Sequence, residues 1–241
     1  MPAELRNPQP VARRPLHEEV ADQLRELIIE GVLAPGSRLN ERVLCEHLKV
    51  SRTPLREAFK LLAGERLLEL MPNRGAQVAS LSRADVQHLF ELMATLEGLS
   101  GELAAQRRTD EELAAIQAAH DAMVIAHRER DLPAYFRLNR EIHLMMNRCA
   151  RNPPLAETYH AINSRLQNLR FRSNFNHDKW DVAMDEHERM IVALRARDGA
   201  GLRGLLERHL HNKRDEVLQR FADDPAGEGS SSMDAPVREV R

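Results

Sequence analysis

Residues 51 to 70 read SRTPLREAFKLLAGERLLEL. Wound as a helix, this stretch places Arg52, Arg56 and Lys60 at i, i+4 and i+8 on one face, and gathers Leu55, Ala58, Phe59 and Leu62 on the other. Such a cationic face is chemically suited to a polyanion: an arginine fork fits guanine O6 and N7, and the hydroxyls of Ser51 and Thr53 fit phosphate or base edges. A basic helix face alone is usually just solvated, so the neighbours of this one must decide. A second set of residues has ligand chemistry. Asn139 and His143, in RLNREIHLMM, stand one helical turn apart and can reach a single ion, and His187 and His209 follow on later segments. Most of the 11 histidines carry no such pattern.

The elements around the basic helix give it a geometry. From Pro15 a helical pattern runs through Val20, Leu24, Leu27 and Ile28 until Gly31, Pro35 and Gly36 break it. Asn40 is the N-cap of a short helix ending near Leu48, and the turn KVS leads into the basic helix. Ser51 is placed to cap its first amides, and Pro54 is tolerated where first-turn N–H groups have no intrahelical partner. After Gly64, RLLELMPNRGAQVASL reads as two short strands around an Asn-Arg-Gly turn. Helix, helix, turn, helix, hairpin is the plan of a helix-turn-helix with a wing, whose recognition helix enters a major groove by its N-terminal end.

The run LNERVLCEHLKVSRTPLREAFKLLAGERLLELMPNRGAQV closely resembles the winged helix-turn-helix of GntR-type transcription factors, over roughly residues 15 to 80. The resemblance implies double-stranded DNA as partner. It carries the family's contacts onto Arg42 in the second helix, onto Ser51, Arg52, Thr53 and Arg56 at the recognition helix, and onto Arg74 and Gly75 in the wing. Gly75 would let the wing backbone approach a minor groove with no Cβ in the way.

Beyond Leu81 the sequence becomes six helical segments with short connections. Ser82 with Asp85 opens the first, which runs to about Arg107, and Thr109 with Glu112 forms the capping box of the second. Asp131 with Pro133, then Asn152 with Pro153 and Pro154, then Asp178, and finally the break from Asp198 to Gly201 begin the other four. The fold class expected is mainly α, an N-terminal winged helix-turn-helix plus a C-terminal all-α bundle. The domains are a flexible arm at 1–14, a DNA-binding domain at 15–80, a helical domain at 82–222 and a disordered tail at 223–241.

The helical part resembles the FCD domain, the effector-binding domain of the FadR-like branch of the same family. Metal-binding members of that family use Asp and His at i, i+4 and two later histidines about 22 residues apart, which implies Asn139, His143, His187 and His209 as ligands here. Asn139 stands where the family has Asp; its carbonyl can bind an ion but brings no charge. Three imidazoles suit Zn²⁺ or Ni²⁺ with open positions that a carboxylate effector could fill. Many relatives carry an arginine one turn before the residue matching Glu97, and this chain has Met93 there. Arg165, Arg170 and Arg172 are candidate substitutes, since guanidinium forks match carboxylates.

Composition is consistent with this reading. With 42% hydrophobic, 30% charged and only 4% aromatic residues, the chain suits a helix-rich globular protein better than a sandwich or barrel. The net charge is −2, yet residues 38 to 78 carry eight Lys or Arg against five Glu, so the basic field is local. Two cysteines about a hundred residues apart support neither a disulfide framework nor a CxxC site. No apolar stretch suggests a leader or a membrane span, and the expected location is the cytoplasm. The expected protein is a homodimeric regulator, a repressor by the commoner family behaviour, reading a palindromic operator and responding to a small carboxylate. The competing reading, a metal-dependent enzyme on a helical bundle with His143, His187 and His209 as ligands, lacks an HExxH helix and a nucleophile constellation.

Overall fold

The computed structural model describes residues 14–72, 74–173 and 180–223. Except for Arg14 and Asp223, the expected arm and tail lie outside the described residues, as does Asp178.

The N-terminal part opens with α1, Leu16–Ile29, whose Val20, Leu24 and Ile28 are buried at the spacing the sequence shows. β1, Arg38–Leu39, leads to α2, Glu41–Leu48, where the Asn40 side chain accepts from the amides of Arg42 and Val43 as an N-cap should. Lys49, in the left-handed region at φ 54°, makes the turn into α3, Arg52–Gly64. Ser51 precedes α3 in extended conformation, but its side chain makes no cap hydrogen bond, contrary to expectation; the hydroxyl is left exposed instead. Strands β2, Leu68–Met71, and β3, Gly75–Val78, form the expected antiparallel hairpin with Met71 opposite Gly75. β1 adds to the other edge of β3, giving the order β1-β3-β2. At two residues β1 is too short to show a period of two, which is why sequence pattern misses it. The apolar faces of α1 and α3 and the inner positions Leu68, Ala76 and Val78 close one core.

Six helices follow: α4 Arg83–Arg107, α5 Asp110–Glu129, α6 Leu132–Cys149, α7 Pro153–Ser173, α8 Trp180–Arg195 and α9 Gly199–Asp223. The expected capping box of Thr109 with Glu112 forms, Ser82 and Asp85 at the start of α4 make a second one, and Asp131 caps α6. The long central helix α4 packs most extensively on α9 and also meets α6, α7 and α8. Because it is covered on several sides it buries residues round most of its circumference, among them Val86, Phe90, Met93, Glu97 and Ala104. Gly98 and Gly101 let α9 approach it: a Cβ on Gly101 would fall 3.0 Å from Leu202 Cγ and closer still to Leu206 Cδ1. No helix among the described residues is long and apolar enough to cross a membrane.

Candidate nucleic-acid interface and metal centre

α3 buries Leu55, Ala58, Phe59 and Leu62, which leaves Arg52, Thr53 and Arg56 exposed at its N-terminal end. Arg42 is exposed on α2 and pairs with Glu46 at 3.1 Å; Arg74 is exposed at the wing turn, where its amide donates to the Met71 carbonyl. Gly75 sits at φ +80°, a conformation an L side chain adopts only under strain, so glycine is required where the wing turns back. The structure thus leaves six of the seven sequence-predicted residues exposed and puts the seventh, Gly75, at the turn of the wing. It also adds one that sequence reasoning missed. Glu41, at the first turn of α2, takes the Arg56 guanidinium, with Nε at 3.1 Å from Oε1 and Nη2 at 3.0 Å from Oε2. A Cβ on Gly75 would lie 3.9 Å from the same carboxylate, so Glu41 stands between the reading helix and the wing. No sequence signal points to that pairing, because the two residues are 15 apart on different helices.

In the helical domain, α6, α8 and α9 bring His143, His187 and His209 together, all buried, with one ring nitrogen of each within 4.8 Å of the others. Behind two of them stand carboxylates. Nδ1 of His143 lies 2.7 Å from Glu97 Oε2, and Nδ1 of His209 lies 2.5 Å from Glu186 Oε2. Carboxylates at Nδ1 fix the tautomer and leave Nε2 as the available lone pair, the arrangement that metal-binding histidines ordinarily show. Nε2 of His143 and both ring nitrogens of His187 are buried with no hydrogen-bond partner among the described residues. Burial, followed by the positive potential of neighbouring groups, holds His187 well below the usual histidine range; burial also lowers His209. Protons therefore compete poorly for these two rings near neutral pH. Orphaned buried nitrogens on His143 and His187, with carboxylates behind His143 and His209, fit a divalent ion.

Asn139, one turn before His143, is also buried and lines a small cavity with Tyr135, Arg170, His209 and Lys213. Arg170 enters from α7, with Nη1 3.2 Å from Glu97 Oε1 and 3.1 Å from Asn163 Oδ1. Burial alone would raise the Glu97 carboxyl, but His143 and Arg170 outweigh it and hold the group at about 2. Burial lowers the Lys213 ammonium, which has Glu216 at 2.8 Å. Of the two candidate arginines whose side chains are among the described residues, Arg170 lines this cavity and Arg165 does not. Arg165 is half-buried elsewhere, with Arg66 and Asp85 as its charged neighbours, and the Arg172 side chain lies outside the described residues. Glu186, beside His187 in the sequence, is taken by His209 and Asn212.

A winged helix-turn-helix joined to a helical bundle defines a DNA-binding transcriptional regulator of the two-domain kind. The chain belongs to the GntR family: residues 16–78 match the family described as bacterial regulatory proteins, gntR family, and residues 88–212 match the FCD domain. It is 33% identical over 180 residues to the Glc operon transcriptional activator of Escherichia coli strain K12, covering 67% of this chain and 71% of that one. It is 25% identical over 206 residues to the HTH-type transcriptional repressor RspR of the same strain, covering 86% and 90%. Among solved structures, E. coli McbR/YncC shares the fold at a TM-score of 0.79, with 23% identity over 87% of this chain and 100% of that one. These matches are to transcription regulators, not enzymes.

Proposed function

We propose that this regulator acts as a homodimeric repressor whose hold on a palindromic operator is set by a small carboxylate in the helical domain, beside a divalent ion such as Zn²⁺ or Ni²⁺. The observation that carries the proposal is the convergence of three buried histidines, one of which, His209, also lines a cavity with Arg170, Lys213 and Asn139. Two cations and a neutral amide around a polar cavity favour an anion of small size. His143, His187 and His209 would hold the ion, with Asn139 as a further oxygen donor. When bound, the ion supplies positive charge and open coordination positions that a carboxylate can fill. Arg170 orients the carboxylate, and Glu97 and Glu186 keep the ligand rings turned inward. On the DNA side, Arg52 and Thr53 read from the first turn of α3, while Arg42 and Arg74 anchor the flanks on phosphate. Two-fold symmetry of the protein imposes two-fold symmetry on the operator.

Selection of bound DNA from a random pool, followed by a screen of small carboxylates for release, tests this directly. The pool should converge on a palindrome. Arg52→Ala should lose that selection while its circular dichroism and urea midpoint stay those of the parent. A variant that still enriches the same palindrome removes Arg52 from base reading.

A further inference from the structure

The two domains meet where α7 and α6 touch the C-terminal end of α1, and this junction is one helix face away from the histidine cluster. Asn168 of α7, buried, donates from Nδ2 to the carbonyl oxygens of Ile28 at 2.7 Å and Ile29 at 3.1 Å. The next turn carries Gly31 at φ +78°, a conformation that favours glycine, and a Cβ there would meet the same Nδ2 at an ordinary 3.5 Å. From α6, Arg140 reaches Glu26 of α1 at 3.3 Å. Both helices also reach the cluster, α6 as a member and α7 through Glu97: Arg140 stands three residues before His143, and Asn168 two residues before Arg170. Two residues along a helix point to opposed sides, so α7 presents Arg170 inward to Glu97 and Asn168 outward to α1.

We infer that α7 transmits occupancy of the cluster to the DNA-binding domain, along the contacts His143 to Glu97, Glu97 to Arg170, and Asn168 to the last carbonyls of α1. Glu97 is shared between a ligand histidine at 2.7 Å and the α7 guanidinium at 3.2 Å, so a change in what His143 holds changes what holds Arg170. The helix between Arg170 and Asn168 is rigid on this length scale, and a shift at one face is a shift at the other. The junction is built to respond. Arg165 Nε and Asn168 Oδ1 are buried with no hydrogen-bond partner among the described residues, and the charge of Arg66 faces that of Arg165. Each orphaned group favours an opened arrangement in which water satisfies it, against the two bonds from Asn168 that favour the closed one. A close balance of this kind leaves two arrangements of the domains within reach of a ligand's differential binding.

This inference rests on the histidine cluster being the ligand site, and the test separates the two. Operator affinity is measured with and without Zn²⁺, alongside Zn²⁺ affinity itself, in the parent, in Asn168→Ala and in Arg140→Gln. The parent should bind Zn²⁺ and change its operator affinity at least fivefold. Asn168→Ala should bind Zn²⁺ as the parent does and retain operator binding, but with the change reduced below twofold; Arg140→Gln, a milder lesion, should reduce it partly. An undiminished change in Asn168→Ala overturns the inference, and so does a parent that binds Zn²⁺ with no change in operator affinity. If the parent binds no Zn²⁺, the metal reading fails and the link is judged without it. Glu97→Gln should then alter operator affinity in the parent but not in the Asn168→Ala background, and equal effects in both overturn it. Should Asn168→Ala fail to fold, Asn168→Ser keeps the helix with a shorter side chain and serves the same comparisons.

Discussion

Asn139 brings an uncharged amide to the edge of the histidine cluster. The side chain is buried one turn before His143 and lines the same cavity as His209 and Arg170. An amide oxygen there offers a lone pair without charge, whereas a carboxylate would neutralise part of a dication in a poorly hydrated site. Asn139→Asp should therefore tighten Zn²⁺ binding about tenfold, which is about 1.4 kcal/mol. Competition with a chromophoric chelator measures it, and His187→Ala provides the reference in which binding is lost. Equal affinity in Asn139→Asp and the parent would place residue 139 out of the ion's reach. The tenfold figure is held down by Arg170, which has Glu97 and Asn163 as partners and would be drawn toward a new carboxylate.

Among the elements, the close pairing of α4 with α9 is the contact on which the bundle depends, and two glycines permit it. At Gly101 even a methyl group would meet Leu206 and Leu202, both buried, so Gly101→Val should destabilise the protein by about 1–3 kcal/mol through overpacking. Urea denaturation of the chelated protein reads this, with Gly204→Val, where a Cβ has 3.4 Å of room to a flexible arginine end, as the control that changes little. The starts of these helices were legible in the sequence because a capping box is local: Ser82 and Asp85, or Thr109 and Glu112, lie within one turn. The ligand histidines were legible as a spacing, and the recognition helix as an alternation of basic and apolar faces. What could not be read is every pairing made across elements. Glu41 on Arg56, Glu186 on His209 and Asn168 on the end of α1 join residues 15, 23 and 140 positions apart, and no periodicity records which distant chain a polar group will meet. Ser51 is the reverse case, a good cap by residue type whose hydroxyl makes no cap bond and stays exposed.

For the whole molecule, the decisive quantity is how many cations one binding event brings to DNA. The chain as a whole carries −2, so long-range attraction is weak and affinity must come from the patch that α2, α3 and the wing present. Each chain offers Arg42, Arg52, Arg56 and Arg74 at that end, and Glu41 already neutralises part of Arg56. Three to four cations per chain brought against the duplex, whether on phosphate or in the groove, give a pair of chains six to eight. The logarithm of the operator affinity should then fall with the logarithm of salt concentration at a slope of about −5 to −7. A single chain on a half-site would show about −3 to −3.5. Fluorescence anisotropy on the selected palindrome between 50 and 200 mM salt distinguishes the two, and Arg42→Ala should lower the slope of the pair by nearly two units, because the substitution enters twice. A slope near −3 on the full palindrome would sink the two-fold reading. A steep slope that collapses when one half-site is scrambled would tie the cation count to two recognition helices acting together.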